Sequence, residues 1–246
     1  MSLRAKRSNL ISKTRLLRRS APRNDTKWFT IEDDERLMSK RGFFITFEGP
    51  EGSGKSSQAR RLVRVLRRAK RPVVFVRDPG STALGRRLRQ VLLHDARAIS
   101  SMAEALLFIA GRAQLVEEQI RPALRTGAVV VCDRFHDSTV AYQGFGGSLP
   151  PAWVNRMGRE AIGGVMPDLT ILLDLPVAAG FARLHRRRDR MERKTLAFHE
   201  RLRRGYLTLA KREPRRFLVV DATQSKMQIQ QQIFQLVMKR LSKKKV

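Results

Sequence analysis

The sequence has little cysteine, no long apolar run and few acidic residues. Cys132 is the single cysteine among 246 residues, so no internal disulfide can form. Its place at the end of an apolar run favours a buried side chain in a reducing compartment. No apolar stretch reaches the roughly 18 residues of a membrane span, and no charged segment precedes an apolar one as in a secretory signal. A soluble, cytoplasmic protein without a membrane partner is therefore expected.

Basic residues far outnumber acidic ones. The chain holds 51 Lys and Arg against 22 Asp and Glu, which gives a net charge of +29. Residues 1–40 hold 11 basic and 5 acidic residues, so +23 remains on the rest of the chain. Such an excess attracts polyanions through the summed field, and non-specific contact with them through the basic termini is predicted.

The first 41 residues are predicted to form a basic extension. Residues 1–24 hold eight Lys or Arg, four Ser and no acid. This composition buries too little apolar surface to fold, so residues 1–41 are predicted to be disordered. An Arg-rich and Ser-rich start also resembles an organelle transit peptide, although a basic bacterial tail or a misassigned start codon explains it equally well.

From residue 43 onward, short apolar runs alternate with longer helix-like segments. The runs predict five strands at 43–47, 73–77, 128–132, 169–174 and 217–220. Helices are predicted at 55–70, 84–94, 100–125, 151–163, 177–187, 195–212 and 226–241. Apolar strands that alternate with helices are typical of a parallel sheet covered on both faces. Residues 42–241 are therefore predicted to form one α/β domain of the P-loop class, with a doubly wound five-stranded parallel sheet flanked by helices.

A phosphate-binding motif lies between the first predicted strand and the first predicted helix. Gly49, four further residues and then Gly54-Lys55-Ser56 satisfy the Walker A pattern. The glycines let backbone N–H groups and the helix N-terminus point at phosphates. Lys55 supplies positive charge to the β and γ phosphates, and the Ser56 hydroxyl is a ligand for Mg²⁺. ATP is thus predicted to bind Gly49, Pro50, Glu51, Gly52, Ser53, Gly54, Lys55, Ser56 and Ser57.

A second polar pair follows the strand predicted at 128–132. Asp133 and Arg134 stand at its carboxyl end, which is where parallel sheets bind ligands. Asp133 is a predicted ligand of Mg²⁺, and Arg134 can hold a phosphate with two hydrogen bonds. An ordinary surface ion pair is the alternative.

Five segments in this order resemble the thymidylate kinase family. They are FEGPEGSGKSS at 47–57, RDPGST at 77–82, LLFIAGRAQLVE at 106–117, DRFHDSTVAYQG at 133–144 and PDLTILLD at 167–174. The resemblance spans residues 42–240 and implies ATP-dependent phosphorylation of dTMP to dTDP with Mg²⁺. It also implies a homodimer. A kinase for another nucleoside monophosphate or a deoxynucleoside, and a basic P-loop protein that binds nucleic acid, remain as alternatives.

The acceptor site is predicted partly from spacing and partly from the resemblance. Phe108 and Arg112 are four residues apart and share one helix face, which fits either a core Phe beside a surface Arg or a pair that reads a base. The resemblance implies the second, with Phe108 stacked on thymine and Arg112 bonded to its exocyclic oxygen. It implies that Arg134 holds the acceptor phosphate and that Glu51 faces the sugar 3′-hydroxyl. The residues that it implies along the nucleoside are Ser138, Thr139, Tyr142 and Gln143.

Further positive charge is predicted from a basic stretch at 183–190, which resembles the lid of bacterial relatives. Some relatives carry an arginine in the P-loop, where this chain has Glu51, so the lid segment, residues 183–195, is expected to deliver arginines on closure. Arg186 and Arg190 are predicted to be catalytic beside Lys55 and Arg134. The stretch is shorter than in typical relatives. Residues 77–82 also have Asp and Ser where the family has Glu and Gly.

Overall fold

Five short parallel strands form the centre of the molecule. The computed structural model describes residues 42–95, 97–184 and 188–243, so the predicted extension at 1–41 lies outside the described residues. The sheet has the order β2-β3-β1-β4-β5, and every neighbouring pair is parallel. The strands are β1 Phe43–Glu48, β2 Val73–Arg77, β3 Val129–Asp133, β4 Leu169–Asp174 and β5 Phe217–Asp221. The predicted five-stranded parallel sheet is confirmed.

Helices flank the sheet, and most begin within one residue of the predicted position. The longer ones are α1 Lys55–Arg68, α2 Ala83–His94, α3 Ser101–Leu115, α6 Pro151–Ala161, α8 Leu196–Arg212 and α9 Lys226–Lys243. The helix predicted at 100–125 is α3 followed by a π-helical turn, Val116–Ile120, and α4, Arg121–Arg125. The helix predicted at 177–187 is shorter, because α7 spans Val177–Ala182.

One helix was absent from the sequence prediction. α5, His136–Thr139, continues into a π-helical segment, Val140–Gly146. Glycines and β-branched residues give this stretch a low intrinsic helix propensity. It is nevertheless buried against α8, where Gly205 leaves room for Phe145: a Cβ at residue 205 would lie 2.5 Å from the Phe145 Cβ. Tertiary packing therefore forms this helix.

Alternation along β1 divides the core between the two faces of the sheet. Phe43, Ile45 and Phe47 pack with α1 and α9 in one buried cluster. Phe44 points the other way, into a cluster that includes residues of α3 and α4. Burial of whole aromatic and aliphatic side chains on both faces supplies the main favourable term of folding.

The strand register brings three loops together at one edge of the sheet. Phe47 of β1 pairs with Asp133 of β3, and Arg77 of β2 pairs with Asp133 from the other side. The P-loop after β1, the turn after β3 and the loop after β2 therefore start side by side. This is the edge at which parallel sheets bind ligands. Within the described residues, none of the helices combines the length and apolarity needed to cross a membrane.

Candidate active site

The P-loop wraps closely around the start of α1 and rests on α7. Gly52 has a φ of +70°, a conformation that favours glycine because it has no Cβ. A Cβ at Gly52 would also lie 2.1 Å from the Gly180 carbonyl oxygen, and one at Gly180 would lie 2.3 Å from the Glu51 oxygen. Gly52 and Gly180 therefore permit the P-loop backbone to pack directly against the backbone of α7.

Lys55 is buried at the start of α1 with its charge held inside the P-loop. Its Nζ donates to the Pro50 carbonyl oxygen at 2.7 Å and to the Ser53 Oγ at 3.2 Å. Burial, with the nearby charge of Arg134, lowers the pKa of Lys55 from 10.5 to about 8. The side chain therefore remains mostly protonated at neutral pH, and its partners are groups that a phosphate can replace.

Ser56 and Asp133, the two predicted Mg²⁺ ligands, are in direct contact. The Ser56 Oγ donates to the Asp133 Oδ2 at 2.5 Å. Mg²⁺ usually binds one or two protein oxygens and completes its shell with water and substrate phosphates. The described residues contain no cluster of three or more acidic, His or Cys side chains suited to a metal. The donor set therefore fits an ion that is shared with a bound nucleotide.

Arg134 lies at the carboxyl end of β3 in a left-handed conformation, with a φ of +70°. Its NH2 donates to the Glu51 Oε1 at 2.9 Å, and its guanidinium carbon lies 4.9 Å from the centre of the Tyr142 ring. The Tyr142 hydroxyl donates to the same Glu51 oxygen. Burial opposes the charge of Glu51, but Arg134 and Lys55 outweigh it and lower the pKa of Glu51 to about 2. Glu51 is therefore an anion that neutralises Arg134.

Glu48 and Tyr206 were not predicted, although both hold the turn that carries Arg134. Glu48 is fully buried and accepts hydrogen bonds from the Phe135 N–H at 2.7 Å, the Ser138 Oγ at 2.5 Å and the Tyr206 hydroxyl at 3.1 Å. Arg134 NH1 in turn faces the hydroxyls of Ser138 and Tyr206 at 3.3 and 3.4 Å. An acid at the end of an otherwise apolar strand was the available sequence signal for Glu48.

Arg112 is buried on α3, and two of its three guanidinium nitrogens donate hydrogen bonds. Its Nε donates to the Asp78 Oδ2 and its NH2 to the Thr139 Oγ1, at 2.6 and 2.7 Å. Its NH1 has no hydrogen-bond partner among the described residues. An unpaired buried donor is costly, so NH1 is available to a ligand. Asp78, where the resembling sequences have the longer Glu, therefore still reaches Arg112 and pairs with it.

A single cleft of about 390 Å³ joins the P-loop to Arg112. Leu93, Leu184 and Met191 supply apolar walls. The predicted residues that line it are Glu51, Gly52, Gly54, Lys55, Ser56, Ser57, Phe108, Arg112, Asp133, Arg134, Ser138, Thr139, Tyr142 and Gln143. Phe108 and Arg112 thus both face the cleft, as expected for a pair that reads a base. The structure brings the predicted acceptor residues and most of the predicted donor residues into one site, whereas Gly49, Pro50 and Ser53 do not line the cleft.

The lid arginines are arranged differently from the expectation. Arg186 lies outside the described residues. Arg190 is not among the residues that line the cleft, and its guanidinium contacts Glu104 and the Leu92 carbonyl oxygen. Arg188 lies over the Phe181 ring at 4.4 Å. A catalytic role for Arg186 and Arg190 therefore stays a prediction.

Comparison with known proteins identifies the family. The profile of the thymidylate kinase family matches residues 47–233. The chain is 48% identical over 202 residues to the thymidylate kinase of Deinococcus radiodurans, covering 81% of this chain and 98% of that protein. This chain belongs to the thymidylate kinase family. It is also 47% identical over 196 residues to the thymidylate kinase of Symbiobacterium thermophilum, covering 79% of this chain and 92% of that protein.

A solved thymidylate kinase structure has the same fold. The crystal structure of the enzyme from Ehrlichia chaffeensis matches with a TM-score of 0.66 and 30% sequence identity, covering 80% of this chain and 99% of that one. The matched portion is thus nearly a whole thymidylate kinase, and the chain carries additional residues beyond it. The matched residues, 47–233, contain all five segments that resemble thymidylate kinases in sequence, including the P-loop and the turn after β3.

Replacing Glu48 by Gln is expected to change how stability depends on pH. Burial, with the charge of Asp137, raises the pKa of Glu48 to about 7. The folded state therefore binds this proton more tightly than the unfolded chain, and the wild type loses stability as pH rises from the unfolded pKa of about 4.5 to about 7. Gln cannot ionise, so the Glu48→Gln variant should gain stability relative to the wild type over that range.

Urea denaturation of both proteins at several pH values between about 5 and 8 measures this difference. Glu160→Gln, at an exposed position of α6, is the control and should follow the wild type. If the free energies of unfolding of the wild type and the Glu48→Gln variant differ by the same amount at every pH, the raised pKa of Glu48 is contradicted.

Proposed function

We propose that this chain transfers the terminal phosphoryl group of ATP to dTMP and releases dTDP and ADP. The observation that carries the proposal is the single cleft, with the P-loop Lys55 on one side and the unpaired donor of Arg112 on the other. Family membership supports the choice of dTMP as acceptor.

The acceptor phosphate supplies the nucleophile. One of its oxygens forms a bond to the γ phosphorus of ATP while the bond from that phosphorus to the bridging oxygen breaks, so ADP leaves with the electron pair. No protein nucleophile is needed, and catalysis comes from positioning and positive charge. Mg²⁺ held by Ser56 and Asp133 would neutralise charge on the donor phosphates. Lys55 exchanges its Pro50 and Ser53 contacts for those phosphates.

Arg134 is proposed to bind the acceptor phosphate. It already lines the cleft beside the P-loop, where its NH1 faces the Gly49 carbonyl oxygen at 3.5 Å and its NH2 contacts Glu51 at 2.9 Å. Because Glu51 carries a full negative charge at neutral pH, an incoming phosphate competes with it for the guanidinium. Glu51 would then be free to face the sugar 3′-hydroxyl beside Tyr142. The base would lie between Phe108, Arg112 and Gln143.

An acceptor panel tests the function. ATP and Mg²⁺ are combined with dTMP, dUMP, UMP, dCMP, AMP, GMP and thymidine, and ADP release is followed. Fastest turnover is expected with dTMP, and Lys55→Ala should abolish it because the phosphates lose their nearest cation. Lys211→Ala, on the exposed side of α8, is the matched control. If another acceptor is phosphorylated but dTMP is not, the assignment of dTMP as substrate is refuted, whereas the assignment of kinase activity stands.

Arg112→Lys is expected to weaken the binding of dTMP far more than the binding of ATP. Lys keeps the positive charge beside Asp78 but lacks the planar guanidinium, so the donors to Thr139 and to the base are lost. A hydrogen bond that involves a charged group corresponds to roughly tenfold to a hundredfold in KM for dTMP. Arg121→Lys is the control, because Arg121 lies on α4 and forms an ion pair with Glu117 of the preceding π-helical turn. Equal changes in KM for both substrates would contradict base reading by Arg112.

A homodimer is also proposed, through the outer faces of α2 and α3. Leu84 and Val91 are seven residues apart on α2, and Met102 and Leu106 are four apart on α3. All four are large apolar side chains that remain 39–44% exposed. Apolar residues on one face of adjacent helices favour association with a second copy. Light scattering should give twice the 28.2 kDa of one chain, and a monomer mass would refute the dimer.

Cytoplasmic location and targeting by residues 1–24 stay predictions.

A second candidate function is binding of nucleic acid through α1. The predicted contact through the basic termini concerns mainly residues outside the described ranges, but α1 offers a described surface. An open groove of about 560 Å³ runs along it, lined by Ser57, Arg60, Arg61, Val63, Arg64, Arg67, Phe75 and Lys226. α1 contains no acidic residue. Arginines aligned on one helix face fit the phosphates of a nucleic-acid strand.

Replacing Arg60, Arg64 and Arg67 by Gln tests this surface. Affinity for a short DNA duplex is measured by fluorescence anisotropy across salt concentrations. Loss of three phosphate contacts should reduce the slope of log K against log salt by about 2.7. The control replaces three exposed arginines elsewhere by Gln, Arg125, Arg204 and Arg212, which makes the same change in net charge. If the two triple variants have equal slopes, DNA binding depends only on the net charge of the protein and not on the α1 groove.

A further inference from the structure

Glu104 is a buried acid on α3 that two other side chains share. It is 5% exposed and lies in the first turn of the helix, whose N-terminus favours negative charge. Its Oε1 accepts a hydrogen bond from the Gln143 Nε2 at 2.9 Å, and its Oε2 lies 2.5 Å from the Arg190 NH1. A buried carboxylate requires such partners. One oxygen therefore holds Gln143, which lines the cleft, and the other forms an ion pair with Arg190.

The first contact determines which way the amide of Gln143 points. The two ends of a Gln side chain have nearly the same shape but opposite hydrogen-bonding character. A carboxylate paired with arginine only accepts, so Glu104 takes the NH2 end. The carbonyl oxygen of Gln143 is then the end available to a ligand in the cleft, which Gln143 lines. The base site thus offers an acceptor from Gln143 and a donor from Arg112.

This pair of groups matches one kind of pyrimidine edge. Thymine and uracil present a carbonyl oxygen next to a ring N–H, which suits one donor and one acceptor. Cytosine presents an amino group next to an unprotonated ring nitrogen, so both hydrogen bonds would be reversed. A flipped Gln143 amide would offer NH2 instead and lose its ability to accept from the ring N–H. Discrimination therefore depends on whatever keeps the amide in place.

The second contact joins Glu104 to Arg190 of the lid segment. Arg190 Nε donates to the Leu92 carbonyl oxygen at 2.8 Å, and its backbone N–H donates to the Leu93 oxygen at 3.1 Å. Asp189, next to it, accepts from the backbone N–H groups of Met191 and Glu192 at 2.9 and 3.0 Å. The residues on both sides of Arg190, Asp189 and Met191, line the cleft. The contacts with Leu92 and Leu93 hold Arg190 against α2, and the contact with Glu104 holds it against α3.

We propose that Glu104 is a positioning residue that keeps the Gln143 carbonyl oxygen toward the acceptor base and joins the base site to the lid segment through Arg190. This inference rests on the proposed function, because it concerns which monophosphate the site accepts. It also gives Arg190 a positioning role in the arrangement that the structure shows, in which Arg190 contacts Glu104.

The test compares dTMP with dCMP as acceptors in the Glu104→Gln variant. Gln at this position has the same size but can either donate or accept, so the Gln143 amide is free to turn. We expect kcat/KM for dTMP to fall roughly tenfold to a hundredfold, the ratio of dTMP to dCMP turnover to narrow, and KM for ATP to stay unchanged. An unchanged ratio would overturn the role of Glu104. If Glu104 had only a structural role, its replacement would lower kcat/KM for dTMP and for dCMP by the same factor.

A double-mutant cycle with Gln143→Leu tests whether Glu104 acts through that amide. In the Gln143→Leu background, Glu104→Gln should narrow the dTMP to dCMP ratio no further. A full additional loss in the double variant would refute the coupling. If Glu104→Gln does not fold, Glu104→Asp keeps the charge opposite Arg190 while its shorter side chain withdraws from Gln143. Wild-type discrimination by a folded Glu104→Asp enzyme would count against the proposal.

The wild-type acceptor panel separates the two proposals. Absence of dTMP turnover by the wild type would refute the proposed function itself. Normal wild-type turnover with unaltered discrimination in the Glu104 variants would refute only the positioning role.

Discussion

The site depends on the buried carboxylate of Glu48. It ends β1 and accepts hydrogen bonds from the Phe135 N–H and from the hydroxyls of Ser138 and Tyr206. Those bonds join the first strand, the turn after β3 and α8 at one point. The same turn holds Arg134 in a left-handed conformation, which costs a non-glycine residue about 1–2 kcal/mol. The direction of the Arg134 guanidinium therefore follows from how Glu48 is satisfied.

Around that point, the cations of the cleft contact groups that a nucleotide can displace. Lys55 contacts a carbonyl oxygen and a hydroxyl, and Arg134 contacts the anionic Glu51. Arg112 is held on two sides and has its third nitrogen unpaired among the described residues. Side chains that are fixed before the ligand arrives lose little entropy on binding. The net charge of +29 adds a field that draws anionic substrates towards the protein.

The sequence predicted well where the signal is local. The Walker A pattern, the five apolar runs and the Asp133-Arg134 pair are each contiguous in sequence. In the structure the five runs form the sheet, and the other two features lie at one edge of it. The helix at 136–146 was missed because its residues favour helix poorly and it forms through contacts with α6 and α8. The partners of Arg190 were also missed. Glu104 lies 86 positions away in the chain, and no spacing rule connects residues that far apart.

By itself, the sequence determined the phosphate-binding loop, the parallel α/β architecture and the residue types of both halves of the site. The loop and the architecture follow from backbone requirements of glycine and from apolar periodicity, which act over a few residues. The residues of the acceptor half follow from the resemblance to the thymidylate kinase family. Only the tertiary structure decided that Glu51 neutralises Arg134, that Asp78 supports Arg112 and that Glu104 holds both Gln143 and Arg190. The physical reason is that a buried charge must find a partner wherever packing provides one, and packing joins segments distant in the chain.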